Sequence, residues 1–417
     1  MTAPDIHRTI DAVWRIESAR LIAGIARLVR DVGLAEDLAQ DALVAALERW
    51  PETGVPDNPG AWLMATAKHR AIDQLRRRSM LDRKHEQLGH ELTEWHHVAP
   101  DLDAAIDDAV GDDLLRLIFI ACHPVLSTEA RVALTLRMLG GLTTAEIARA
   151  YLVPESTVAQ RIVRAKRALA DARIPFELPA GGDLAPRLGS VLEVVYLIFN
   201  EGYSATAGGD LLRPDLCAEA VRLGRVLAGL APDEPEVHGL VALMEIQSSR
   251  LRARVGPGGE PVLLLEQDRS RWDQLLIRRG LASLARAEAL GGSRGVYALQ
   301  AAIAACHARA RTAEATDWER IATLYDELAA VSPSPVVELN RAVAVGMARG
   351  PGAGLALVDV LASERALANY HLLPAVRGDL LERLGKREEA REEFARAASL
   401  TRNEREREFF ERRAKSD

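Results

Sequence analysis

The chain has 417 residues, a length that exceeds a single hydrophobic core and predicts about three domains. Hydrophobic residues make up 48% of the sequence and aromatic residues only 4%, so the composition supports packed cores and favours an all-α fold over sheets. The net charge of −7 does not exclude a nucleic-acid partner, because a whole-chain average hides local basic patches.

Several classes of protein are disfavoured by the sequence. Cys122, Cys217 and Cys306 are far apart and form no CxxC pair, so neither a disulfide framework nor a zinc site is predicted. The start of the chain has no apolar signal-peptide core, and no long uncharged apolar run could cross a bilayer. We therefore expect a cytoplasmic protein with no membrane partner, no metal and no cofactor.

Two amphipathic helices are predicted first. Apolar residues at helical spacing from Ile10 to Leu28 mark one helix, which should end near Gly33, and a second should run from Ala35 to Trp50. One flank of the second helix carries carboxylates four residues apart and an amide, from Asp37, Asp41 and Gln40. Neighbouring like charges cost some stability, which indicates a basic partner; the alternative is a solvated acidic face near a helix N-terminus.

A loop rich in proline and glycine occupies residues 51–60, and a basic helix is predicted after it. The helix is expected to bury Trp62, Ala65, Ile72 and Leu75 and to expose Lys68, His69, Arg70, Arg76, Arg77 and Arg78. A loop that leads into a basic helix can bind a phosphate backbone and offer surfaces to unstacked bases. Trp62 therefore has two interpretations, a core residue or a stacking platform.

An acidic segment separates this part from the next. Residues 79–113 hold ten acidic side chains against two basic ones, so we expect a flexible linker that does not fold alone. His85, His90, His96 and His97 lie in it without helical i,i+4 pairing or nearby cysteines, and no metal site is predicted. The apolar run at 114–123 should form the first core helix of a second module, with Ser127 capping the next helix.

Residues 142–169 predict two short helices joined by a tight turn. Thr143 and Glu146 have the spacing of a capping box, in which each side chain bonds the other residue's amide. Pro154 restricts Val153, which ends the first helix near Tyr151, and suits the first turn of the second helix. The second helix should bury Val158, Ile162, Ala165 and Leu169 and expose Ser156, Thr157, Gln160, Arg161, Arg164 and Arg167.

The exposed side chains of this second helix are hydroxyls, an amide and guanidinium groups, which can bond phosphates and base edges in a major groove. An ordinary solvated basic face is the alternative for this helix taken alone. The second basic element, at residues 61–78, favours DNA binding.

Three motifs in this order and spacing resemble regions two and four of the sigma-70 family, in its short extracytoplasmic-function (ECF) form. They are AEDLAQDALVAALERW, NPGAWLMATAKHRAIDQLRRR and LTTAEIARAYLVPESTVAQRIVRAKRAL, and the resemblance covers residues 6–173. It implies a subunit that binds core RNA polymerase, directs it to promoter DNA and helps to open the duplex. Leu152 and Pro154 stand where the family commonly has glycine and serine, so the turn should differ in shape.

The resemblance also implies roles for individual residues. The clamp helices of the largest polymerase subunit would be contacted by Asp37, Leu38, Gln40 and Asp41. The minus-10 promoter element would be contacted by Asn58, Trp62, Lys68, His69, Asp73, Arg76 and Arg77. The minus-35 element would be contacted by Ser156, Thr157, Gln160, Arg161, Arg164, Lys166 and Arg167.

The predicted domains are region two at 1–78, the acidic linker at 79–110, region four at 111–174, a second linker at 175–187 and a helical domain at 188–417. Near its end, the positions of Gly378, Gly385, Ala390, Phe394 and Ala397 resemble a tetratricopeptide (TPR) helix pair. Steps of about 34 residues back along the chain predict earlier pairs. These are marked by Ala356 with Val360 and by Ile321 with Tyr325, Leu328 and Pro333.

Three more stretches of this domain combine aromatic, polar and charged residues, at 196–205, 263–274 and 339–345. No nucleophile, phosphate loop or metal spacing accompanies them, so we predict ion pairs between helical layers or a partner groove, and not an enzyme. With the sigma motifs, they resemble the ECF subgroup with a long TPR-like C-terminal extension. Such extensions are thought to regulate activity, and contact with the sigma modules is one route.

The sequence thus predicts an ECF-type sigma factor with a fused helical regulatory domain. Two alternatives stay open. One is a helix-turn-helix regulator that acts on duplex DNA without replacing the polymerase sigma subunit. The other is a TPR-type interaction scaffold with a degenerate sigma part.

Overall fold

A computed structural model describes residues 3–86, 106–151, 153–179, 184–205 and 207–415. These residues divide into two compact units, Met1–Val194 and Val195–Asp417. The described residues are mainly helical, as predicted, and none of their helices is both long and apolar enough to span a bilayer. Most of the predicted acidic linker, with His90, His96 and His97, lies outside the described residues, as does the side chain of His85.

The described residues of the first unit form helices, and the last helix of this unit continues into residues assigned to the second. Its elements are α1 (Ala3–Val29), α2 (Val32–Thr53), α3 (Pro59–Glu86), α4 (Ile106–Ala121), α5 (Thr128–Met138), α6 (Thr144–Tyr151), α7 (Glu155–Asp171) and the first part of α8 (Leu184–Tyr203).

Local signals fix the limits of these helices. Asp31 caps α2, because its Oδ1 accepts a hydrogen bond from the Leu34 amide at 2.9 Å. The helix continues through Pro51, where a breaker was expected, and stops at Gly54, whose φ of 85° favours glycine. Ser127 caps α5 as predicted and accepts from the Ala130 amide at 3.3 Å.

The inner face of α3 differs from the prediction. Leu63, Ala67 and Ala71 are buried, whereas Ala65 is exposed and Ile72 is 37% exposed. The buried residues follow an i, i+4, i+8 pattern of two small side chains and one large one. Alanine is only weakly hydrophobic, so a prediction of the buried face that follows the larger apolar side chains selects the wrong face.

Helix α4 packs along α1, although the sequence predicted that it would open the second module. Leu117 to Ala121 are all buried, so this segment has no solvated side. In the middle of α4, Asp113 lies 3.3 Å from Arg27 of α1 and 2.6 Å from Arg116. Because α4 packs on α1, the two predicted modules share one core in this unit.

The beginning of α8 belongs to the first unit. Ser190 Oγ donates a hydrogen bond to the Cys122 carbonyl at 2.7 Å, and Arg187 donates to the Phe119 carbonyl at 2.7 Å. Arg131 of α5 lies 3.1 Å from Glu193. The start of α8 therefore satisfies carbonyl groups at the end of α4.

The second unit is a succession of antiparallel helix pairs. After the remainder of α8 and the strand β1 (Ala207–Gly208), it contains α9 (Pro214–Leu230), α10 (Pro235–Ser248), α11 (Gln274–Ala289), α12 (Val296–Arg309), α13 (Trp318–Val331), α14 (Pro335–Arg349), α15 (Pro351–Leu361), α16 (Leu372–Arg383), α17 (Arg387–Leu400), β2 (Arg402–Asn403) and α18 (Glu404–Lys415). Short 3-10 turns at 251–253, 264–266, 269–271 and 365–367 lie in the longer loops.

The pair α16 and α17 has the predicted contact between a glycine and an aromatic ring. Phe394 is 1% exposed, and a Cβ atom on Gly378 would lie 2.7 Å from its ring. Any larger residue at 378 would therefore collide with Phe394. Gly385, at the turn, has a φ of 78°.

The period predicted for the preceding pair is wrong by two residues. Val360 is 72% exposed and Ala356 is also exposed. The buried positions of α15 are Gly354, Val358 and Leu361, each 36 residues before Ala390, Phe394 and Ala397. The earlier prediction for α13 is correct at Ile321 and Leu328, which are 1% and 2% exposed.

Asn403 joins the two ends of the second unit. Its Nδ2 donates to the carbonyls of Ala205 and Asp210, at 3.1 and 2.8 Å, and its Oδ1 accepts from the Arg405 amide at 3.0 Å. Beside it, β1 and β2 pair in parallel, with Gly208 opposite Asn403. Asn403 is fully buried. Its side-chain amide bonds backbone groups of these chain segments that have no backbone partner there.

Candidate nucleic-acid interface

The helix-turn-helix has the predicted limits and the predicted cap. Glu146 accepts from the Thr143 amide at 2.8 Å, and Thr143 Oγ1 accepts from the Glu146 amide at 3.1 Å, which confirms the capping box. Helix α6 ends at Tyr151 and α7 begins at Glu155, directly after Pro154. These limits set the orientation of α7, the helix predicted to read DNA.

Helix α7 is amphipathic in the predicted register. Its buried residues are Val158, Ile162, Ala165 and Leu169. The opposite face has exposed side chains at Ser156, Gln160, Arg164 and Arg167, and half-buried ones at Thr157 and Arg161. The face is therefore open and basic, with hydroxyl and amide groups at its start, and this chemistry suits a DNA major groove.

Lys166 is the exception among the predicted minus-35 residues. Its Nζ lies 3.0 Å from Asp37 Oδ1 of α2 and also contacts the Glu36 carboxylate, and the side chain is 20% exposed. Burial lowers the pKa of Lys166, but the two carboxylates outweigh that effect and raise the pKa above its usual value. The ammonium is therefore charged and bound to protein.

Glu36 is at the centre of this arrangement. Its side chain is only 3% exposed, and Arg137 of α5 donates to it from Nε at 2.7 Å. Gln40 of α2 also donates to the same carboxylate. We call the set of Glu36, Asp37, Arg137 and Lys166 the α2–α7 contact.

A second ion pair joins α1 to the helix-turn-helix. Arg15 Nη2 lies 2.8 Å from Glu146, the residue that caps α6. Gly141, in the loop before α6, has a φ of 64°, and a Cβ atom there would lie 3.0 Å from Ser18 Oγ of α1. The helix-turn-helix thus packs directly on the first helices of the chain.

The remaining predicted polymerase-binding residues differ in their exposure. Asp41 is exposed, with its carboxylate 3.5 Å from Arg70 of α3. Gln40 is half-buried, and Leu38 is 6% exposed and belongs to the core. Asp37 and Asp41 are the carboxylates of this flank that reach solvent.

The predicted minus-10 residues lie on α3 and at its start. Asn58 caps the helix, with Oδ1 accepting from the Ala61 amide at 3.1 Å. Trp62 is half-buried and makes an edge-to-face contact with the buried Trp50, with ring centroids 5.4 Å apart. Lys68 is half-buried, and the exposed residues are His69, Asp73, Arg76 and Arg77.

The structure brings two predicted sites together, because Lys166 of the predicted DNA-reading helix contacts Asp37 of the predicted polymerase-binding flank. Glu36 and Arg137, which complete the contact, were not selected from the sequence. A signal existed for Glu36: it is a carboxylate among the buried alanines of α2, and such a group requires a partner. The identity of that partner depends on tertiary packing.

Protein-family models match three parts of the chain. Sigma-70 region 2 matches residues 16–80, and sigma-70 region 4 matches residues 116–169. A family of unknown function, DUF6596, matches residues 187–288. No solved structure has significant similarity to this chain.

Individual relatives fall into two groups. An uncharacterized protein of Rhizobium meliloti (strain 1021) is 44% identical over 394 residues, covering 92% of this chain and 89% of that protein. The probable ECF RNA polymerase sigma factor SigI of Mycobacterium tuberculosis is 29% identical over 174 residues, which is 40% of this chain and 57% of that protein.

The ECF RNA polymerase sigma factor SigK of Mycobacterium ulcerans is 31% identical over 157 residues, which is 36% of this chain and 78% of SigK. Its match and both sigma-70 models agree with the helices described above. The chain belongs to the ECF family of RNA polymerase sigma factors.

Proposed function

We propose that this protein binds core RNA polymerase and directs it to promoters, and that its α2–α7 contact holds the free protein in a closed state. In the proposed complex, the flank with Asp37 and Asp41 meets the clamp helices of the largest polymerase subunit. Helix α3 and the loop at Asn58 hold the minus-10 element, and α7 reads the minus-35 element. The sigma-70 region 2 and region 4 matches support this assignment.

The observation that carries the closed state is the position of Lys166. Its ammonium contacts Glu36 and Asp37, so one interaction engages both the proposed polymerase-binding flank and the proposed DNA-reading helix. A phosphate that approached Lys166 would be repelled by the two carboxylates that the ammonium already binds. Binding to polymerase or promoter should therefore favour a state in which the contact is broken.

We further propose that the second unit, Val195–Asp417, forms a TPR-like domain that regulates the sigma part. Stacked helix pairs provide an extended surface for a partner, and contact with the sigma modules is one way to use it. The match of residues 187–288 to a family distinct from the sigma-70 models supports a separate role for this part.

The polymerase-binding assignment is tested with the full chain in a pull-down with purified core polymerase. Asp41→Arg reverses an exposed charge on the proposed flank outside the α2–α7 contact. The control is Asp11→Arg, an equal charge change at an exposed position on α1. We expect Asp41→Arg to weaken polymerase binding at least about tenfold, because like charges then face each other.

Transcription in vitro from a matched promoter completes the test. The proposal predicts a specific transcript that depends on the protein and is reduced by Asp41→Arg but not by Asp11→Arg. Sequence-specific binding to duplex DNA without any polymerase association would instead identify a conventional helix-turn-helix regulator. Binding to neither would favour the interaction scaffold.

A further inference from the structure

Two of the sequence stretches that the sigma function does not use meet in the second unit. Tyr203 ends α8, and Trp272 follows the turn at 269–271. Between their rings lies Arg250, whose guanidinium carbon is 5.9 Å from the Tyr203 ring centroid and 5.7 Å from that of Trp272. The same rings contact two further arginines: Arg254 is 3.7 Å from the Tyr203 centroid and Arg269 is 4.9 Å from the Trp272 centroid.

These five side chains form a group of arginines and aromatic rings in mutual contact, which we call the Arg–aromatic cluster. Its members are Tyr203, Arg250, Arg254, Arg269 and Trp272. Trp272 is 4% exposed, whereas the three arginines are half-buried and retain access to solvent. The rings fix the guanidinium groups in place at little further cost in side-chain entropy.

The three arginines have no acidic partner in the part of the chain that the structure describes. Among the described residues, no carboxylate oxygen lies within ion-pair distance of any of them, although Arg213 and Arg225 of the same unit pair with Glu201 and Glu245. Partly buried cations normally acquire a counter-charge. The one carboxylate with an effect on the pKa of Arg254 among the described residues is that of Glu406, which already accepts from Thr401 Oγ1 at 2.7 Å and lies 3.1 Å from His371.

The electrostatic effect of these charges on one another is unfavourable. Burial lowers the pKa of Arg269, and the charge of Arg250 lowers it further. Burial likewise lowers the pKa of His307 to about 3, with further contributions from Arg250 and Arg269. The cluster therefore carries excess positive charge, while His307 is neutral at pH 7.

Several donors of the cluster are unused. Arg250 donates through Nη2 alone, to Tyr203 Oη and Gln247 Oε1, so its Nε and Nη1 have no partner among the described residues. Arg254 donates only through Nη1, to the Tyr203 carbonyl. Arg269 Nε and Trp272 Nε1 are buried without a hydrogen-bond partner. Native proteins leave few buried donors unsatisfied, and such groups commonly mark a binding site.

Part of the cluster has a structural role. Arg269 donates to the His307 and Ala310 carbonyls, both at 2.7 Å, and so holds the loop after α12. Within the described chain, Arg250 bonds only to side chains. It also contacts both rings, so it is the arginine of the cluster chosen for the test.

We propose that the Arg–aromatic cluster binds a dianionic phosphate group carried by a small organic ligand. Guanidinium forks match the oxygens of a phosphate in pairs, and two negative charges offset the repulsion among three cations better than one. The rings of Tyr203 and Trp272 are covered by the arginines and hold them in position, so the ligand is recognised through its phosphate. The inference is independent of polymerase binding, since it concerns residues of the second unit alone.

The test is calorimetric titration of the full chain with inorganic phosphate and with phenyl phosphate, at an ionic strength fixed by chloride. Arg250→Gln removes the central cation. The control is Arg252→Gln, two residues away, because Arg252 is exposed and makes no hydrogen bond or ion pair within the described chain. We expect saturable binding to the parent protein and to Arg252→Gln, and an affinity about tenfold or more weaker for Arg250→Gln.

A conservative variant keeps the test decisive if Arg250→Gln fails to fold. Arg250→Lys retains the charge but loses the paired donors, so phosphate affinity should fall by several-fold while circular dichroism stays that of the parent. Benzoate, an aromatic monoanion, should bind more weakly than phenyl phosphate. The proposal is overturned by an absence of saturable phosphate binding to the parent protein, by an unchanged affinity of Arg250→Lys, or by equal losses at Arg250 and Arg252.

Discussion

Lys166 of α7 contacts Glu36 of α2, so the helix with the chemistry to read DNA is tied to a buried carboxylate of the opposite module. The carboxylate has a second cationic partner in Arg137, at 2.7 Å. The two cationic partners offset the cost of burying the Glu36 carboxylate. Removal of either partner would leave that negative charge only partly compensated. The closed state can therefore be tested by changing the lysine alone.

Lys166→Ala should loosen the α2–α7 contact. We expect a loss of about 1–3 kcal/mol in local stability, since Glu36 keeps Arg137 but loses a charged partner. Hydrogen exchange of the α2 and α7 amides measures this as faster exchange. Arg164→Ala is the matched control, because Arg164 is exposed on the same helix and should change exchange little. Equal exchange rates in the two variants would argue against the closed state.

Arg161→Ala should weaken promoter use and relax selectivity at the upstream element. A base-edge contact predicts a loss of about 1–3 kcal/mol on the matched promoter and a smaller loss on sequences altered at that position. The measurement is binding of the polymerase holoenzyme to a set of promoter variants at fixed salt. A uniform loss on every sequence would assign Arg161 to a phosphate.

Phe394→Ala should destabilise the second unit by about 3–5 kcal/mol, because a buried aromatic ring is lost beside Gly378. Val360→Ala is the control, and its effect should stay below about 0.5 kcal/mol, since Val360 is 72% exposed. Urea unfolding of both variants tests the 36-residue repeat. A large loss of stability in Val360→Ala would instead support the 34-residue period predicted from the sequence.

We predict that acid lowers the stability of the second unit, because His307 is buried there in its neutral form. Burial, followed by the charges of Arg250 and Arg269, lowers its pKa to about 3, while an unfolded histidine titrates near 6.5. The unfolded chain therefore binds the extra proton first, so the stabilising contribution is complete above pH 6.5 and declines as the pH falls towards 3. At pH 5 the loss should be about 2 kcal/mol.

This pH effect is measured as the free energy of unfolding between pH 7 and pH 4.5. His307→Gln should remove most of the acid-side slope, whereas His238→Gln on α10 should retain it. A slope that survives His307→Gln would show that another group is responsible.

Two truncations test where the first unit ends. A protein that ends after residue 194 keeps the bonds of Arg187 and Ser190 to the Phe119 and Cys122 carbonyls, whereas one that ends after residue 173 loses them. We expect the shorter protein to be less stable by about 1–3 kcal/mol, from lost hydrogen bonds of about 1 kcal/mol each. Equal unfolding midpoints would place the boundary at the earlier position.

Local chemistry made part of the fold predictable. The capping box at Thr143 and Glu146, and the restriction imposed by Pro154, set the ends of α6 and α7 through bonds between near neighbours. The buried stripe of α7 follows from the same helical spacing. For these elements, every group needed for the prediction lies within a few residues along the chain.

The remaining features depend on distant partners. Glu36 and Lys166 are 130 residues apart, and nothing near either of them identifies the other. The buried face of α3 was mispredicted because most of its residues are alanines. The repeat in the second unit was misplaced because Gly354 occupies the position that Ala390 holds in the next helix pair. Small residues pack closely but contribute little to a hydropathy pattern.

The pairing around Asn403 has a consequence for how the second unit can evolve. An open row of repeats can lengthen by duplication of a terminal hairpin, since its ends are unoccupied. Here β2 pairs with β1, so an additional hairpin inserted between these two strands would separate Asn403 from Ala205 and Asp210. New variants of this unit should therefore arise through changes of side chains at constant length.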